Sequence, residues 1–472
     1  MPTRFNSLST LSLMLLIFGM TVLFPVAAFA QNEQFALGAD ISWVQQDEAC
    51  GVRFFHDGRQ VDPFTVLKDH GFNYIRLRIF VDPLATIPGE SESPYVTTNL
   101  ARCGATANRA YCGADSTIRM AQRAKAAGMK VLLNFHYSDT WTDPQKQHRP
   151  MSWRSLTDAQ VIAMVRQYTR ESLEKFRDAN ALPDIVQVGN ENRTHITGFS
   201  INSANGAAVI NAGIDGIRDV SPNIKTMVHT INERNPIGWL TDLISNGVNA
   251  DRIDVFGISF YLRWHGTPDS LRRVAERFVN NTAFGNMKFC VVEYIANPPT
   301  TTGPDADPRT HHRRVNDIIY NLPNNRGFGT FNWEPFRWND NNTGVALFDW
   351  RTVSGNSGLH SNSYLLDYPQ MAAAYGLTGS TNITNKNIPS TAIPRTDFSV
   401  NSRGVVTYNS NVPGVITVYS MNGRVMGKIN VNSAGIYNPS QLLQTPLRSG
   451  AYIIAIEPRN GKKQTFHSRI VK

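Results

Sequence analysis

The segment Asp184-Ile-Val-Gln-Val-Gly-Asn-Glu191 is the most informative part of the chain, because a short apolar run ends just before a carboxylate. Such a run is typical of a buried strand in a parallel sheet, with the carboxylate at the strand's carboxyl end. A second segment, Phe289-Cys-Val-Val-Glu293, repeats the pattern. In a (β/α)8 barrel the carboxyl ends of the strands form the rim that carries the chemistry. The two segments therefore predict that Glu191 and Glu293 face each other across one rim.

Strand and helix patterns alternate over residues 35–378, which predicts an α/β fold built from eight βα units. The predicted strands are Phe35–Ile41, Tyr74–Phe80, Lys130–Tyr137, Asp184–Val188, Lys225–Thr230, Val255–Tyr261, Lys288–Tyr294 and Gly329–Trp333. The clearest predicted helices are Ser116–Ala127, Asp158–Ala179 and Ser270–Asn280. Gly71 and Gly128 are predicted to end helices. A closed (β/α)8 TIM barrel is favoured over a doubly wound open sheet, because no glycine-rich phosphate loop follows the first strand.

The two ends of the chain differ from this pattern. Residues 1–30 resemble a secretory signal peptide, with an apolar stretch behind Arg4 that is too interrupted for a membrane anchor. The barrel is expected over residues 31–378 and a Ser/Thr/Asn-rich linker over 379–395. Residues 396–472 contain short alternating strands around Asn422-Gly423 and Asn460-Gly461, which predicts a small all-β, sandwich-like domain.

The net charge of +9 is concentrated in the tail, where residues 396–472 hold nine basic and two acidic side chains. The main domain is therefore close to neutral, which argues against a nucleic-acid or acidic-polymer partner. No segment after the signal peptide is apolar enough to span a membrane, and a soluble monomer is expected.

The four cysteines fit an oxidising compartment. Cys103 and Cys112 bracket a short polar loop and are the favoured disulfide pair. Cys290 is expected to be a buried thiol unless Cys50 reaches it. No cysteine or histidine spacing predicts a zinc site.

Polar and aromatic residues recur at the predicted strand ends: Arg76, Arg78, His136, Tyr137, Asn190, Tyr261, Trp333 and Glu334. Hydrolysis of a glycosidic bond with retention requires two carboxyl groups about 5 Å apart, one acid and one nucleophile. We assign Glu191 as the acid and Glu293 as the nucleophile. Arg76 and Tyr261 are expected to orient the nucleophile, and Asn190 to bind the sugar 2-hydroxyl. Trp333 is expected to stack on the sugar. Four further tryptophans could extend this platform: Trp141, Trp153, Trp264 and Trp338.

Val188-Gly-Asn-Glu191 and Glu293 resemble the acid/base and nucleophile of the retaining clan A glycoside hydrolases. Further segments resemble glycoside hydrolase family 53, the arabinogalactan endo-β-1,4-galactanases: Gly38-Ala-Asp-Ile-Ser, Tyr74-Ile-Arg-Leu-Arg-Ile-Phe-Val-Asp-Pro83, His136-Tyr-Ser-Asp-Thr-Trp-Thr-Asp-Pro144, Trp264-His-Gly266, Asn332-Trp-Glu-Pro335 and Ala346-Leu-Phe-Asp349. The resemblance implies cleavage of β-1,4-galactan side chains of pectin with retention, and substrate contacts near Asp40, His136 and Trp333. It implies no required cofactor, although some bacterial members carry a structural calcium ion in a late loop, for which no ligand set is evident here.

The chain departs from the family pattern in two places. Ser259-Phe-Tyr-Leu-Arg-Trp-His lacks a second tyrosine and a proline that we expect there, and Tyr294-Ile-Ala-Asn-Pro follows Glu293 in place of Thr-Ala-Tyr-Pro. The first change alters a loop over the cleft and bears on chain-length and linkage preference.

The tail resembles the C-terminal sorting domain of the type IX secretion system, through its Asn422-Gly-Arg hairpin, Leu447-Arg-Ser-Gly-Ala-Tyr-Ile-Ile and Ser468-Arg-Ile-Val-Lys472. The resemblance implies export by a Gram-negative bacterium, with the secretion machinery as partner and a secreted or cell-surface location. A carbohydrate-binding module is the alternative for the tail. For the barrel, the alternatives are a β-mannanase or β-glucanase, or a non-catalytic glycan-binding protein.

Overall fold

The computed structural model describes residues 34–85, 111–233, 235–295, 308–337 and 346–377 of the main domain. In the tail it describes residues 398–400, 406–408, 413–420, 425–432, 435–437, 450–458 and 464–470. The predicted signal peptide and the predicted linker lie outside the described residues.

Eight parallel strands form a closed barrel in which each strand pairs with its neighbours along the chain, and the first pairs with the last. The strands are β1 (Ala36–Asp40), β2 (Tyr74–Ile79), β3 (Lys130–Phe135), β4 (Ile185–Val188), β5 (Lys225–Ile231), β6 (Val255–Ser259), β7 (Lys288–Tyr294) and β8 (Gly327–Trp333). All eight correspond to the predicted strands, so the TIM barrel is confirmed and the open sheet is excluded.

Helices lie between successive strands or after the last one: Val44–Ala49, Pro63–Asp69, Ala114–Ala126, Asp158–Asp178, Ala204–Val220, Pro236–Ser245, Leu262–His265, Pro268–Val279, Pro308–Tyr320 and Tyr368–Ala374. Thr157 and Gln160 form a capping box at the start of Asp158–Asp178, which satisfies backbone donors that the first helical turn leaves open. Gly71 and Gly128 follow their helices at φ of 90° and 71°, as predicted. None of the described helices is long and apolar enough to cross a membrane.

The barrel interior changes from apolar to polar along the strands. Alternate residues of a strand face the same side, so Tyr74, Arg76 and Arg78 of β2 lie at successive levels. Tyr74 belongs to an apolar cluster with side chains of the other strands, whereas Arg76 and Arg78 are buried with polar partners. This polarity places the functional groups at the carboxyl ends of the strands.

A four-stranded sheet outside the barrel was not predicted. The hairpin Phe348–Val353 and Asn356–Ser361 pairs in parallel with Phe54–His56, which pairs with Arg59–Gln60. These strands join the loop after β1 to the segment after β8.

Two sheets form the described part of the tail, in agreement with the predicted all-β domain. One contains Phe398–Val400, Val406–Tyr408 and Gly435–Tyr437, and the other has the order Val425–Val431, Gly414–Ser420, Gly450–Pro458 and Gln464–Ile470. The strands on either side of both predicted turns pair antiparallel, and the turns themselves, at Asn422-Gly423 and Asn460-Gly461, lie outside the described residues. Val406 of the first sheet and Ile416 of the second share one apolar cluster.

The predicted disulfide between Cys103 and Cys112 is wrong. Of the three cysteines that the structure describes, Cys50 is disulfide-bonded, and Cys112 and Cys290 are buried thiols. The side chain of Cys112 packs with Phe80, Tyr111 and the tryptophans Trp43 and Trp141. Cys103 lies outside the described residues.

Candidate active site

Glu293 is held by two neighbours at the end of β7. Arg76 Nη1 lies 2.6 Å from Glu293 Oε1, and the Tyr261 hydroxyl donates to Glu293 Oε2 at 2.7 Å. Glu293 is only 6% exposed and Arg76 1%. One cation and one hydroxyl donor therefore occupy both carboxyl oxygens, which fixes the orientation of the group.

Asp40 extends this ionic cluster to β1. Its Oδ2 accepts from Arg76 Nη1 at 2.7 Å, and its Oδ1 lies 3.3 Å from Arg78 Nη2. Burial alone would raise the pKa of Asp40, but the charges of Arg78 and Arg76 outweigh it and lower the pKa. Arg78 also pairs with the buried Glu334. The two arginines thus contact three buried carboxyl groups, those of Asp40, Glu293 and Glu334.

Glu191 occupies a strained position beyond β4. Gly189 has a φ of 77° and Glu191 a φ of 48°, in the left-handed region that side chains other than glycine seldom adopt. The Glu191 N–H donates to His229 Nδ1 at 3.1 Å, which supports this conformation. Burial, followed by the negative charge of Glu293, raises the pKa of Glu191 to about 8. The carboxyl group therefore keeps its proton at neutral pH, as a general acid must.

Asn190 and His136 lie beside the two glutamates. Asn190 Oδ1 accepts from Arg76 Nη2 and from Asn134 Nδ2, both at 2.9 Å, while its Nδ2 donates to the Thr142 carbonyl at 2.8 Å. The amide keeps one further N–H for a ligand. His136 Nδ1 accepts the Thr142 N–H at 2.9 Å, so the proton of the neutral ring is on Nε2. Burial, followed by the charges of Arg78 and Arg76, holds the pKa of His136 well below its ordinary value.

Three half-buried tryptophan rings form one wall of the site. The ring centroids of Trp43, Trp141 and Trp333 lie 5.5–6.0 Å apart, and the Arg78 guanidinium lies 4.1 Å from the Trp141 ring centroid. Trp43 was not predicted as a member. The structure thus joins Trp141 to the predicted Trp333 platform.

Of the other predicted platform residues, the structure describes Trp264 and Trp153. Trp264 is on the short helix Leu262–His265, is 64% exposed, and has its ring 5.5 Å from that of Tyr261. Trp153 is 3% exposed and packs against Tyr168, so its assignment to the platform is wrong. Trp338 lies outside the described residues.

Four buried polar residues at the site were missed by the sequence analysis: Asn134, Gln187, His229 and Ser259. Each interrupts an apolar strand, and Asn134 stands two positions before the rim residue His136. A polar residue at that spacing faces the barrel interior, and this signal could have identified Asn134.

Among the described residues, no group of three or more histidine, cysteine, aspartate or glutamate side chains is arranged to hold a metal ion. Residues 296–307 and 338–345, which follow strands β7 and β8 in the sequence, lie outside the described residues. The calcium expectation therefore stays a prediction. The site thus combines the protonated carboxyl of Glu191, the carboxyl of Glu293 with its two hydrogen-bond donors, and the wall of tryptophan rings. These groups suit acid/base and nucleophilic chemistry on a ring-shaped polar substrate.

Comparison with known proteins agrees with this geometry. Residues 36–374 match the model of glycosyl hydrolase family 53. An arabinogalactan endo-β-1,4-galactanase of Humicola insolens is 30% identical over 66% of this chain and 92% of its own length. An arabinogalactan endo-β-1,4-galactanase of Cellvibrio japonicus is 32% identical over 50% of this chain. That match spans only 59% of the Cellvibrio protein.

Solved structures show the same relationship. The catalytic domain of an Ignisphaera aggregans family 53 protein has a TM-score of 0.60 and 26% identity, over 72% of this chain and 96% of that one. A fungal β-1,4-galactanase has a TM-score of 0.59 and 27% identity, over 71% and 99%. The family match covers more than half of the chain and includes the barrel with its rim residues, so this protein belongs to glycosyl hydrolase family 53.

Proposed function

We propose that the chain is an endo-β-1,4-galactanase that hydrolyses β-1,4-galactosidic bonds of arabinogalactan with retention. The observation that carries the proposal is the pairing of Glu191, which burial and the Glu293 charge keep protonated, with a Glu293 carboxylate held by Arg76 and Tyr261. The family membership and the named activities of the relatives support the choice of substrate.

In the proposed first half-reaction, Glu191 protonates the glycosidic oxygen while a Glu293 oxygen attacks the anomeric carbon. A glycosyl ester forms and the shortened sugar chain leaves. In the second half-reaction Glu191, now ionised, takes a proton from water, and the water oxygen displaces Glu293. In this proposal Asn190 donates its remaining N–H to the sugar 2-hydroxyl, and Trp333 packs on the sugar face. Asp40, His136, Trp264 and Tyr261 complete the proposed substrate-binding set.

The test is to incubate the full chain with debranched β-1,4-galactan, β-mannan and β-glucan, and to measure reducing ends and product lengths. Short galacto-oligosaccharides support the proposal. Release of reducing ends from mannan or glucan but not from galactan would contradict the proposed substrate. No release from any of the three polysaccharides would favour a glycan-binding protein.

Glu191→Gln tests the assignment of the acid. The amide cannot donate an acidic proton, so turnover of galactan should fall by about 10³-fold or more while binding is retained. Glu276→Gln, on an exposed turn of helix Pro268–Val279, is the matched control and should keep full activity. Retained turnover in Glu191→Gln would overturn the assignment.

We further propose that the protein is exported, with residues 1–30 removed as a signal peptide and residues 396–472 acting as a sorting domain. The apolar amino-terminal stretch and the all-β tail support this reading. Expression in a Gram-negative host that has type IX secretion, with and without residues 396–472, tests it. Export that does not depend on the tail would contradict the sorting role and favour a carbohydrate-binding module.

A further inference from the structure

The guanidinium of Arg78 lies against the tryptophan wall, which consists of the rings of Trp43, Trp141 and Trp333. Its Cζ atom lies 4.1 Å from the ring centroid of Trp141 and 5.2 Å from that of Trp43. Arg78 is only 1% exposed, whereas the three rings are half-buried. A cation over an indole face is attracted by the ring, and more strongly where water is excluded. Arg78 therefore contacts the wall from the interior of the protein.

The two terminal nitrogens of Arg78 have different surroundings. Nη2 lies 3.3 Å from Asp40 Oδ1 and also pairs with Glu334. Nη1 is buried and has no hydrogen-bond partner among the residues that the structure describes. A buried donor without a partner is costly, and the faces of the adjacent indole rings offset part of this cost. The contact with the rings is thus part of what holds the guanidinium in place.

Arg78 is also connected to the residues that stand next to two of the tryptophans in the sequence. Its backbone N–H donates to Ser42 Oγ at 3.0 Å, and Ser42 directly precedes Trp43. Its guanidinium pairs with Glu334, which directly follows Trp333 and has a φ of 49°. One residue of β2 therefore links the ends of β1 and β8, in addition to its direct contact with the wall.

We propose that Arg78 and Glu334 are positioning residues that fix the tryptophan wall as a binding surface for the galactan chain. Both side chains are only 1% exposed, so they act through the rings and not by touching the sugar. Packing of a sugar on an aromatic face stabilises the bound substrate and the transition state alike. Loss of such binding raises KM and leaves kcat unchanged. This inference rests on the proposed galactanase activity and adds to it two residues outside the substrate contacts.

A different role for Arg78 would have a different kinetic effect. Arg78 contacts Asp40, which accepts from Arg76 Nη1 at 2.7 Å, and Arg76 in turn contacts the nucleophile Glu293. If Arg78 acted mainly along this path, its substitution would lower kcat, because the nucleophile would lose its orientation. Arg78→Lys keeps a positive charge for Asp40 and Glu334 but lacks the planar group that stacks on an indole. This variant therefore separates the two roles.

The experiment measures initial rates of galactan hydrolysis over a range of substrate concentrations for wild type and Arg78→Lys. Loss of the stacked guanidinium should raise KM about tenfold and leave kcat within about threefold of wild type. Glu334→Gln replaces the ion pair by a weaker contact and should raise KM as well, which keeps the test decisive if Arg78→Lys does not fold. A lower kcat with an unchanged KM in both variants would overturn the inference.

A double-mutant cycle with Trp141 distinguishes positioning of the wall from a general loss of structure. Trp141→Ala removes the ring of the wall that lies nearest to Arg78, and it should itself raise KM. In that background Arg78→Lys should raise KM by no more than about twofold, because the ring that it holds is already absent. Near-ultraviolet circular dichroism, which reports the packing of indole rings, should show the same loss of effect without any substrate. A tenfold rise of KM in both backgrounds would show that Arg78 acts independently of the wall.

Arg326→Lys is the matched control. Arg326 directly precedes β8, at the amino end of the barrel, and its Cζ atom lies 5.1 Å from the ring centroid of Phe278. Its Nη2, like Nη1 of Arg78, is buried without a hydrogen-bond partner in the described part of the chain. The substitution removes a comparable guanidinium from an aromatic ring away from the wall, so KM and kcat should stay within about twofold of wild type.

Two failures are distinguishable. A wild-type chain that does not hydrolyse galactan overturns the proposed function, and this inference with it. An active wild type whose KM stays within about twofold in both Arg78→Lys and Glu334→Gln, or rises equally in Arg326→Lys, overturns the positioning role alone.

Discussion

At the scale of single residues, Arg76 is the most connected group of the site. Its buried guanidinium reaches Asp40, Glu293, Gln187 and Asn190 at once. Lysine keeps the charge but lacks the planar fork, so Arg76→Lys cannot serve all these partners. We expect kcat/KM on galactan to fall by about 10²-fold or more, measured by initial rates, because the nucleophile loses its orientation.

Arg123→Lys is the matched control for that substitution. Arg123 also bridges two carboxylates, those of Glu48 and Asp62, but its side chain is 34% exposed. Solvent screens such pairs, so activity should stay within about twofold and stability within about 1 kcal/mol of wild type. Equal losses in both variants would show that Arg76 has no special role in the reaction.

Glu191 carries a cost in stability that depends on pH. Its pKa is raised to about 8 in the folded protein, above the ordinary value of 4.5. Below pH 4.5 the Glu191 carboxyl is protonated in both the folded and the unfolded protein. Between pH 4.5 and about 8 it ionises in the unfolded protein but stays protonated in the folded one. Stability is therefore lost as pH rises from 4.5 to about 8. We expect Glu191→Gln to raise the Tm, by more at pH 8 than at pH 4.5, in thermal melts of both proteins. An increase that is the same at both pH values would contradict the raised pKa.

The two glutamates could be predicted from the sequence because each stands at the carboxyl end of a short apolar run, Glu191 just beyond Val188 and Glu293 directly after Val292. Gln187 and His229 could not be assigned, because their partners come from other strands whose register no single strand reveals. The disulfide prediction failed for a related reason. Closeness in sequence suggested Cys103 for Cys112, whereas the direction of the Cys112 side chain depends on packing against Phe80.

At the scale of elements, the turn after β4 sets the place of the acid. Gly189 has a φ of 77°, and a Cβ built there would lie 2.1 Å from Asn192 Oδ1. Gly189→Ala should therefore disturb both the backbone and the Asn192 side chain. We expect a loss of about 2 kcal/mol or more in urea unfolding and at least a tenfold lower kcat, since the displaced turn carries Glu191.

Gly51→Ala separates the two effects of that substitution. Gly51 has the same φ of 77°, but a Cβ there meets nothing within 4 Å. Gly51→Ala should lower the free energy of unfolding by about 1 kcal/mol, from the strain of an alanine at positive φ alone, and leave kcat unchanged. Equal kcat values for the two variants would contradict the role assigned to the turn.

Long elements were predictable and short ones were not. The eight barrel strands are continuous buried runs, and helix Asp158–Asp178 has a clear period of apolar residues. Phe54–His56 and Arg59–Gln60 are too short to show any period, so the outer sheet that they form with the Phe348–Val353 hairpin went unnoticed. Strand β6 ends earlier than predicted, at Ser259, because helix Leu262–His265 begins just beyond it.

At the scale of the whole molecule, the barrel and the tail have separate apolar cores among the described residues. The tail cluster contains Val406, Ile416 and Ile454, and the main cluster reaches no further than Leu377. The rim residues of the site all belong to the barrel. A chain ending at residue 377 should therefore fold and hydrolyse galactan with kcat/KM within about twofold of the full chain.

A truncation that ends ten residues earlier should have the opposite result, because it removes helix Tyr368–Ala374, which packs against the barrel. Tyr368 is fully buried, its ring centroid lies 4.4 Å from that of Phe72, and its hydroxyl lies 2.9 Å from that of Tyr294 on β7. Removing it leaves a cavity and the buried hydroxyl of Tyr294 with one partner fewer, which together cost about 3–5 kcal/mol or more. A chain ending at residue 367 should therefore be unfolded or inactive in circular dichroism and galactan assays. If the longer truncation were inactive as well, the barrel would depend on the tail for its fold. If both were active, Tyr368 would not be needed to close the barrel.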